Sequence, residues 1–382
     1  MGLAAAGVIS FAAVAQAEEK PTHQVLTAVS STALSGYVST SVGWTPGNTV
    51  NTAGRYSFQK SGDGFNLDVI DIKLSSALAE GEWASGYSVE LWLGPDAAGI
   101  GHNLSTGGNI AIKNANVALN IPVGNGIQAK IGIFDTIVGY ETANSIENPN
   151  FTRSFGYSIE PTSHTGLLLS YKACDAVSVS AGVANSYNAD LNESRGANSQ
   201  HTWMAAASLT APDSLGFLKG AVLTLGVVDG FFSTDTDLVL PGGNGSTAID
   251  PTDPDVTLYY VGATLPTGIT GLNFGVTWDR LSINKADFAI DAFALYASYK
   301  VSEKATFNVR TEYLRADTQA ELIDVAAATT LTLDYKLWAN VVSRIEYRWD
   351  HDLSNTQQAA KTAGVDSRNN AHTIMAQIAY KF

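Results

Sequence analysis

Residues 370–382 read Asn-Ala-His-Thr-Ile-Met-Ala-Gln-Ile-Ala-Tyr-Lys-Phe, and this stretch decides the fold. Its apolar set, Ile374, Ala376, Ile378, Tyr380 and Phe382, alternates with a mostly polar set. Successive side chains of a β-strand point to opposite faces of the sheet, so this period of two predicts a strand with one apolar face. A soluble β-sandwich would show the same alternation, so the pattern alone does not place the strand in a membrane.

The same alternation recurs about sixteen times along the chain. In residues 338–350, for example, Ile345 and Tyr347 share one face, and Arg344 and Glu346 share the other. We predict strands at 34–45, 65–76, 84–94, 109–121, 126–134, 164–173, 176–187, 200–211, 219–230, 256–265, 270–280, 288–300, 304–316, 326–336, 338–350 and 370–382.

The lengths of the predicted connections select among β folds. Short turns such as residues 122–125 follow the even-numbered strands, and links of roughly ten to thirty residues follow most odd-numbered strands, as in an outer-membrane barrel with tight turns at one rim and long loops at the other. A soluble sandwich has no reason to sort its connections in this way. We therefore predict an all-β, transmembrane, antiparallel up-and-down β-barrel of about sixteen strands, wide enough to enclose an aqueous channel.

Composition excludes several other classes of protein. Only 15% of the 382 residues are charged, and the formal net charge is −14. Soluble domains usually contain about 25% charged residues, and a nucleic-acid partner would require a basic stripe that the chain lacks. The single cysteine, Cys174, excludes an intrachain disulfide and a CxxC site. No run of about eighteen apolar residues follows the N-terminal region, so the mature chain has no predicted transmembrane helix.

The N-terminus has the pattern of an export signal. Residues 1–17 are small and apolar and end in Ala15-Gln16-Ala17, which fits the small-x-small site of signal peptidase. No Lys or Arg precedes this stretch, so we interpret it as a signal peptide truncated at its N-terminus; a buried N-terminal helix is the alternative. Residues 18–33 are then a short periplasmic segment, and residues 34–382 form the barrel.

Two motifs carry a resemblance to a known family. The terminal Ile-Ala-Tyr-Lys-Phe of residues 378–382 resembles the C-terminal signature of outer-membrane proteins, and residues 132–141 (GIFDTIVGYE) with 160–166 (EPTSHTG) resemble the OmpL-like β-barrel porins. The resemblance implies a bacterial outer-membrane porin through which small hydrophilic solutes and ions diffuse passively. It also implies a homotrimer in contact with outer-membrane lipids, and neither a cofactor nor enzymatic activity.

The longest featured connection, residues 135–163, joins the fifth and sixth predicted strands. In general porins, as the resemblance implies, this third external loop folds into the barrel and narrows it. The rings of Tyr140, Phe151, Phe155 and Tyr157 would be wasteful on a loop that floats in water, which favours inward folding. A compact external lid is the alternative.

Charged side chains on the predicted inner face and on this loop are the candidate site. Groups of opposite charge on facing sides of a constriction create a field that orients polar solutes. The alternative is that arginines and glutamates on neighbouring strands pair with each other and stiffen the barrel. The candidate residues are Lys130, Lys172, Arg310, Arg344 and Arg348 on the strands, and Glu141, Glu147, Arg153 and Glu160 on the loop.

Other sites are weaker. Asp250, Asp253 and Asp255 offer oxygen ligands of the kind that Ca²⁺ prefers, although a solvated acidic loop is the simpler interpretation. The histidines do not have zinc-site spacing, and no GxSxG motif is present. Two other functions remain open: a hydrolase with its active site at the rim, and an adhesin or surface structural protein with a plugged lumen.

Overall fold

The computed structural model describes residues 32–46, 63–78, 81–100, 104, 109–187, 192, 201–232, 237–239, 246–248, 255–283, 288–317, 323–353 and 370–382. The predicted signal peptide, residues 1–17, lies outside these ranges. So does the predicted periplasmic segment, except for its last two residues, which belong to the first strand.

Eighteen strands are present in the described part of the chain. They are β1 (Thr32–Trp44), β2 (Gly64–Ser76), β3 (Ser85–Leu93), β4 (Ile110–Ile121), β5 (Ile127–Asp135), β6 (Ser163–Cys174), β7 (Val177–Ala184), β8 (Thr202–Thr210), β9 (Val222–Phe231), β10 (Asp237–Val239), β11 (Ser246–Ala248), β12 (Asp255–Pro266), β13 (Leu272–Ile283), β14 (Phe288–Lys300), β15 (Ala305–Asp317), β16 (Ile323–Tyr335), β17 (Val341–Asp352) and β18 (Asn370–Lys381).

Sixteen of these strands form one closed antiparallel barrel, as predicted, and β10 pairs only with β11. The barrel closes between β1 and β18, where the Gly36 amide donates to the Phe382 carbonyl at 3.1 Å and the Phe382 amide donates back at 3.0 Å. Closure pairs the backbone polar groups of every strand edge, which a sheet inside a bilayer requires. We call the rim at which β1 begins and β18 ends the terminal rim.

Large apolar side chains cover the outside of the barrel. Trp203 is 63% exposed, Ile345 61% and Leu295 61%. In water, so much exposed apolar surface would be an aggregation hazard, whereas in a bilayer it is the lipid-facing band. Residues of opposite parity on the same strands, such as Arg344 and Glu346, are buried inside.

The connections depart at both rims from the predicted alternation of short and long. Only four residues separate Ile283 from Phe288, at the rim where long loops were expected, whereas eleven residues separate Thr210 from Val222 at the terminal rim. The longer turn contains a 3-10 helix, Asp213–Leu218. Loop length is therefore a statistical feature of the two rims in this barrel, and the period of two is the firmer signal.

Helical structure in the described ranges is limited to short segments such as α1 (Phe155–Ile159), between β5 and β6. None of the described helices has the length and apolarity needed to cross a membrane.

Candidate functional site: the loop inside the barrel

The connection between β5 and β6 lies inside the barrel, as predicted, and not outside as a lid. Its helix α1 contacts the inner faces of β13, β14 and β15. Phe151 and Phe155 are completely buried. Ser154 caps α1, because its hydroxyl accepts a hydrogen bond from the Tyr157 amide at 3.1 Å. We call residues 136–162 the inner loop.

Arg310 on β15 is the central contact between the barrel and the inner loop. Its guanidinium lies 2.6 Å from the Glu141 carboxylate of the loop and 3.0 Å from Glu312 on its own strand. It also donates to the Thr152 carbonyl at 2.6 Å. Because Arg310 is inaccessible to water, these partners must compensate for the loss of its hydration.

Two glutamates of the barrel hold the backbone of the inner loop. Glu346 on β17 accepts from the Phe151 amide at 2.6 Å and the Thr152 amide at 2.9 Å. Glu312 accepts from the Phe155 amide at 2.6 Å. Hydrogen bonds to an ionised acceptor are about twice as strong as neutral ones. The barrel thus fixes the inner loop through backbone groups that any loop sequence would provide.

Arg344 and Arg348 on β17 complete this contact. Arg344 donates to the Ser145 carbonyl at 2.9 Å and to the Asn148 carbonyl at 3.3 Å. Arg348 donates to the Arg153 carbonyl at 2.8 Å and lies 3.2 Å from Glu312. The structure therefore brings the three predicted arginines together, but they hold the loop and are nearly inaccessible to water. We call Arg310, Glu312, Arg344, Glu346 and Arg348 the clasp.

Glu160, at the end of the inner loop, does not face the predicted basic groups. Its carboxyl interacts instead with the carboxyl of Asp279 on β13. Burial raises the pKa of Glu160 well above its usual range, and the charges of Asp279 and Glu141 raise it further. Glu160 and Asp279, which we call the acid pair, thus lie at one end of the inner loop, whereas arginines of the clasp bond to its middle.

The side chains of the other predicted site residues are separated from the clasp. Lys172, near the end of β6, pairs at 2.7 Å with Asp175 in the exposed turn that follows, at the terminal rim. Arg153 bonds within the inner loop, donating to the Phe151 carbonyl at 2.8 Å and lying over the Tyr157 ring at 5.3 Å. Glu147 is exposed, and Lys130 on β5 is partly exposed.

Charged residues on β2, β4 and β5 form a second group, in which Lys113 is buried and Lys73, Lys130 and Asp135 remain accessible to water. Lys73 is 39% exposed and Asp135 is 56% exposed by side chain. Lys113 donates a hydrogen bond to Asp135, and Lys73 lies 3.4 Å from Glu90. The charges of Lys113, Lys73 and Glu90 also act on Glu147 of the inner loop. We call Lys73, Lys113, Lys130 and Asp135 the open wall.

Lys113 and Asp135 were not among the predicted site residues. The register between β3 and β4 shifts at Glu90 and Leu91, so β4 contains a bulge near Lys113. A bulge inserts one extra residue and breaks the strict alternation of faces. The period of two therefore gave no signal for Lys113.

The inner face is also less polar than the sequence suggested. Inward residues of β12 to β15, such as Leu258, Leu281 and Ile290, pack with Phe155 and Ile159 of the inner loop in one buried apolar cluster. The loop thus fills much of that side of the lumen. Water-accessible charge lies on the opposite side, at the open wall.

The calcium candidate gains no support. Asp250 and Asp253 lie outside the described residues, and Asp255 is the first residue of β12. Among the described residues, no group of three or more His, Cys, Asp or Glu side chains could hold a metal ion.

Comparisons with known proteins agree with this architecture. Residues 31–382 match the protein family described as "Putative beta-barrel porin-2, OmpL-like". No curated protein sequence matches the chain.

Solved structures share the fold at low sequence identity. The anion-selective porin from Comamonas acidovorans is 13% identical, with a TM-score of 0.60 over 92% of this chain and 99% of its own. OmpT of Vibrio cholerae, in its trimer form, is 14% identical, with a TM-score of 0.60 over 92% and 99%. OprB of Pseudomonas putida is 10% identical, with a TM-score of 0.61 over 92% and 94%. At such identities the likeness shows the fold alone.

Proposed function

This chain belongs to the β-barrel porin-2, OmpL-like family, and we propose that its channel is a weakly selective path for small hydrophilic solutes and ions. It is a porin of the bacterial outer membrane. The observation that carries the finer proposal is the accessibility of Lys73, Lys130 and Asp135 inside a barrel whose clasp is buried.

The proposed passage runs between the inner loop and the open wall. The charges of Lys113 and Lys73 act on Glu147 of the loop, so a solute would pass between charges of both signs. Mixed charge orients dipolar solutes without excluding either ion type. The proposal includes no chemical step and no cofactor, since solutes move down their own gradients.

We assign the terminal rim to the periplasm, since outer-membrane barrels place most short turns there. We also propose a homotrimer. Support comes from the trimer form of the structurally similar OmpT and from small outward side chains on β8, Ala205 and Ala207. Ala205→Arg should give a folded monomer, and sedimentation in detergent would measure the change. An unchanged trimer would exclude this face as the interface.

Single-channel recording in planar bilayers tests the proposed function. We expect stepwise conductance that rises in proportion to salt concentration, and liposomes that swell faster in small sugars than in large ones. An adhesin with a plugged lumen would be folded yet silent in both assays. A rim hydrolase would cleave a substrate without conducting. Well-folded protein that gives no conductance steps would contradict the proposal.

A further inference from the structure

Two glycines on the inner face of the barrel lie directly beneath the inner loop. Gly226 on β9 lies two residues from Thr224 and from Val228, which are both buried and point inward. Gly275 on β13 shares its face with the buried Thr277. Strand β12 pairs with both β9 and β13, so the two glycines lie on either side of one strand. At these two points the inner wall of the barrel consists of backbone alone.

The inner loop places a side chain over Gly226. A Cβ atom placed on Gly226 would lie 2.5 Å from Cγ1 of Val138. Carbon atoms pack best at about 3.5–4.0 Å, so a methyl group there would be about 1 Å too close. Val138 has little freedom to turn away, because a β-branched side chain has few χ1 rotamers and this one is buried in the apolar cluster with Val228 and Phe155. The loop can therefore lie this close to β9 only because residue 226 has no side chain.

A second side chain of the inner loop lies over Gly275. A Cβ atom placed on Gly275 would lie 2.6 Å from Cζ of Tyr140 and 2.9 Å from Cε2. The ring of Tyr140 also stacks on Tyr296 of β14, with 4.2 Å between the ring centroids. Val138 and Tyr140, two residues apart, thus both contact the wall where a glycine leaves room for them.

Both glycines lie on the side of the lumen opposite the open wall. Counted around the ring of sixteen strands, β12 is eight strands from β2, which carries Lys73 of the open wall. Every ångström by which the inner loop approaches β9 and β13 therefore leaves room on the other side. A loop pushed away from Gly226 or Gly275 would move toward the open wall.

We propose that Gly226 and Gly275 are positioning residues that set the width of the passage between the inner loop and the open wall. They act through Val138 and Tyr140 and do not contact the solute. The clasp bonds to the inner loop from Glu141 onward, so the two glycines position the segment that precedes it. This inference rests on the proposed passage, to which it adds a limit on solute size that depends on packing and not on charge.

Single-channel recording and liposome swelling test the proposal on the parent protein, Gly226→Ala, Val138→Ala and the double variant. Gly226→Ala should lower the conductance and exclude sugars that the parent protein admits. In the double variant Cγ1 is gone, and Cβ of residue 138 lies 3.7 Å from the new methyl group, which is an ordinary contact. The double variant should therefore regain the conductance and the size limit of the parent protein. Val138→Ala alone should conduct as the parent protein does.

Two further variants are matched controls. Gly275→Ala should also narrow the passage, but Val138→Ala should not rescue it, because the methyl group at 275 contacts Tyr140 instead. Gly268→Ala, in the exposed turn after β12, should behave as the parent protein, because its Cβ would have no neighbour within 4 Å.

Urea unfolding of the same proteins tests the contact without relying on conduction. Gly226→Ala should raise the equilibrium constant for unfolding about tenfold, as overpacking of a core does. The increase should be much smaller when Val138→Ala is also present, because the two residues are in contact. A parent protein that gives no conductance steps would contradict the proposed function. Absence of this coupling in a parent protein that conducts would contradict only the role of Gly226.

Three results would overturn the inference. The first is an unchanged conductance and size limit in Gly226→Ala. The second is a double variant that conducts no better than Gly226→Ala. The third is rescue of Gly275→Ala by Val138→Ala, which would show a general loosening of the loop. Should Gly226→Ala fail to fold, the double variant decides, because it should fold if the contact with Val138 is the cause, and its failure would refute the assignment.

Discussion

The clasp and the open wall both carry inward charge, but only one of them is accessible to water. In the clasp, Arg310 is fully buried and bonded to Glu141, Glu312 and the loop backbone. In the open wall, Lys73 and Asp135 remain partly exposed. The two sides of one lumen thus use the same residue types for different purposes. A charged residue on the inner face of a barrel is a candidate for permeation only when no loop covers it.

The energetic cost of burying charge explains why the clasp residues hold the inner loop and do not serve as a path for ions. A buried charge loses its hydration, and only well-placed partners restore that energy. Arg310 is fully engaged by its partners, so a passing ion would have to displace them. Lys130, which has no ion pair within the described residues, can exchange water for a solute at little cost.

The largest expected effect comes from Arg310→Met. The substitution leaves Glu141 with a buried charge, although Glu312 keeps Arg348 at 3.2 Å. Removing one partner of a buried pair costs about 3–5 kcal/mol. We expect that loss in urea unfolding from vesicles, together with noisier channels as the loop loosens.

Arg315→Met on the same strand is the control, because Arg315 is 48% exposed by side chain and pairs only with Asp317 in the described structure. It should change stability by less than about 0.5 kcal/mol. Equal effects of the two substitutions would refute the distinction between clasp and surface.

A smaller loss is expected for Glu346→Gln. The neutral amide keeps the shape but weakens the hydrogen bonds from the Phe151 and Thr152 amides. Bonds to a charged group contribute about 1.5–3 kcal/mol. We expect part of that loss in stability and more frequent partial closures in single-channel traces. Traces identical to those of the parent protein would show that Glu346 does not hold the loop during conduction.

Glu160→Gln should remove a pH dependence. The pKa of Glu160 is raised by burial and by Asp279, so its protonated form is favoured by folding. That contribution is complete below about pH 4.3, the ordinary pKa of glutamate, and is lost as the pH rises through the raised value. The neutral glutamine avoids this loss, so the variant should be more stable than the parent near pH 8, on the order of 1 kcal/mol.

Unfolding midpoints at pH 5 and pH 8 check this expectation. Glu82→Gln is the control, because Glu82 is exposed in the turn before β3. The same pH dependence in the parent protein and in Glu160→Gln would show that the acid pair does not titrate in this range.

Substitutions along the proposed passage should have the smallest effects on stability and the clearest effects on ion selectivity. Glu147→Gln removes negative charge from the passage and should shift the reversal potential in a KCl gradient toward anion preference. Lys130→Gln should shift it in the opposite direction. Asp213→Asn, in the turn between β8 and β9, should leave it unchanged. Shifts of the same sign for Glu147→Gln and Lys130→Gln would place the passage elsewhere.

Much of the architecture could be predicted because the alternation of apolar and polar residues in each strand shows which side chains share a face. The largest discrepancies in the strand bounds are three residues, for example at 219 against Val222. Arg310 and Glu141, 169 residues apart, were predicted as opposite charges on facing sides of a constriction, whereas the structure joins them in a buried ion pair at 2.6 Å. The bulge at Lys113 and the pairing of Glu160 with Asp279 gave no such signal, because both depend on local register and loop path.

The sequence by itself determined the barrel, its strand number and the orientation of most side chains, because the period of two is a local property of each strand. Only the tertiary structure decided which inward charges are buried and which meet water. That choice depends on where a loop of 27 residues, from 136 to 162, lies within the lumen. Backbone carbonyls and amides hold the loop there, and every residue type except proline offers both of these groups.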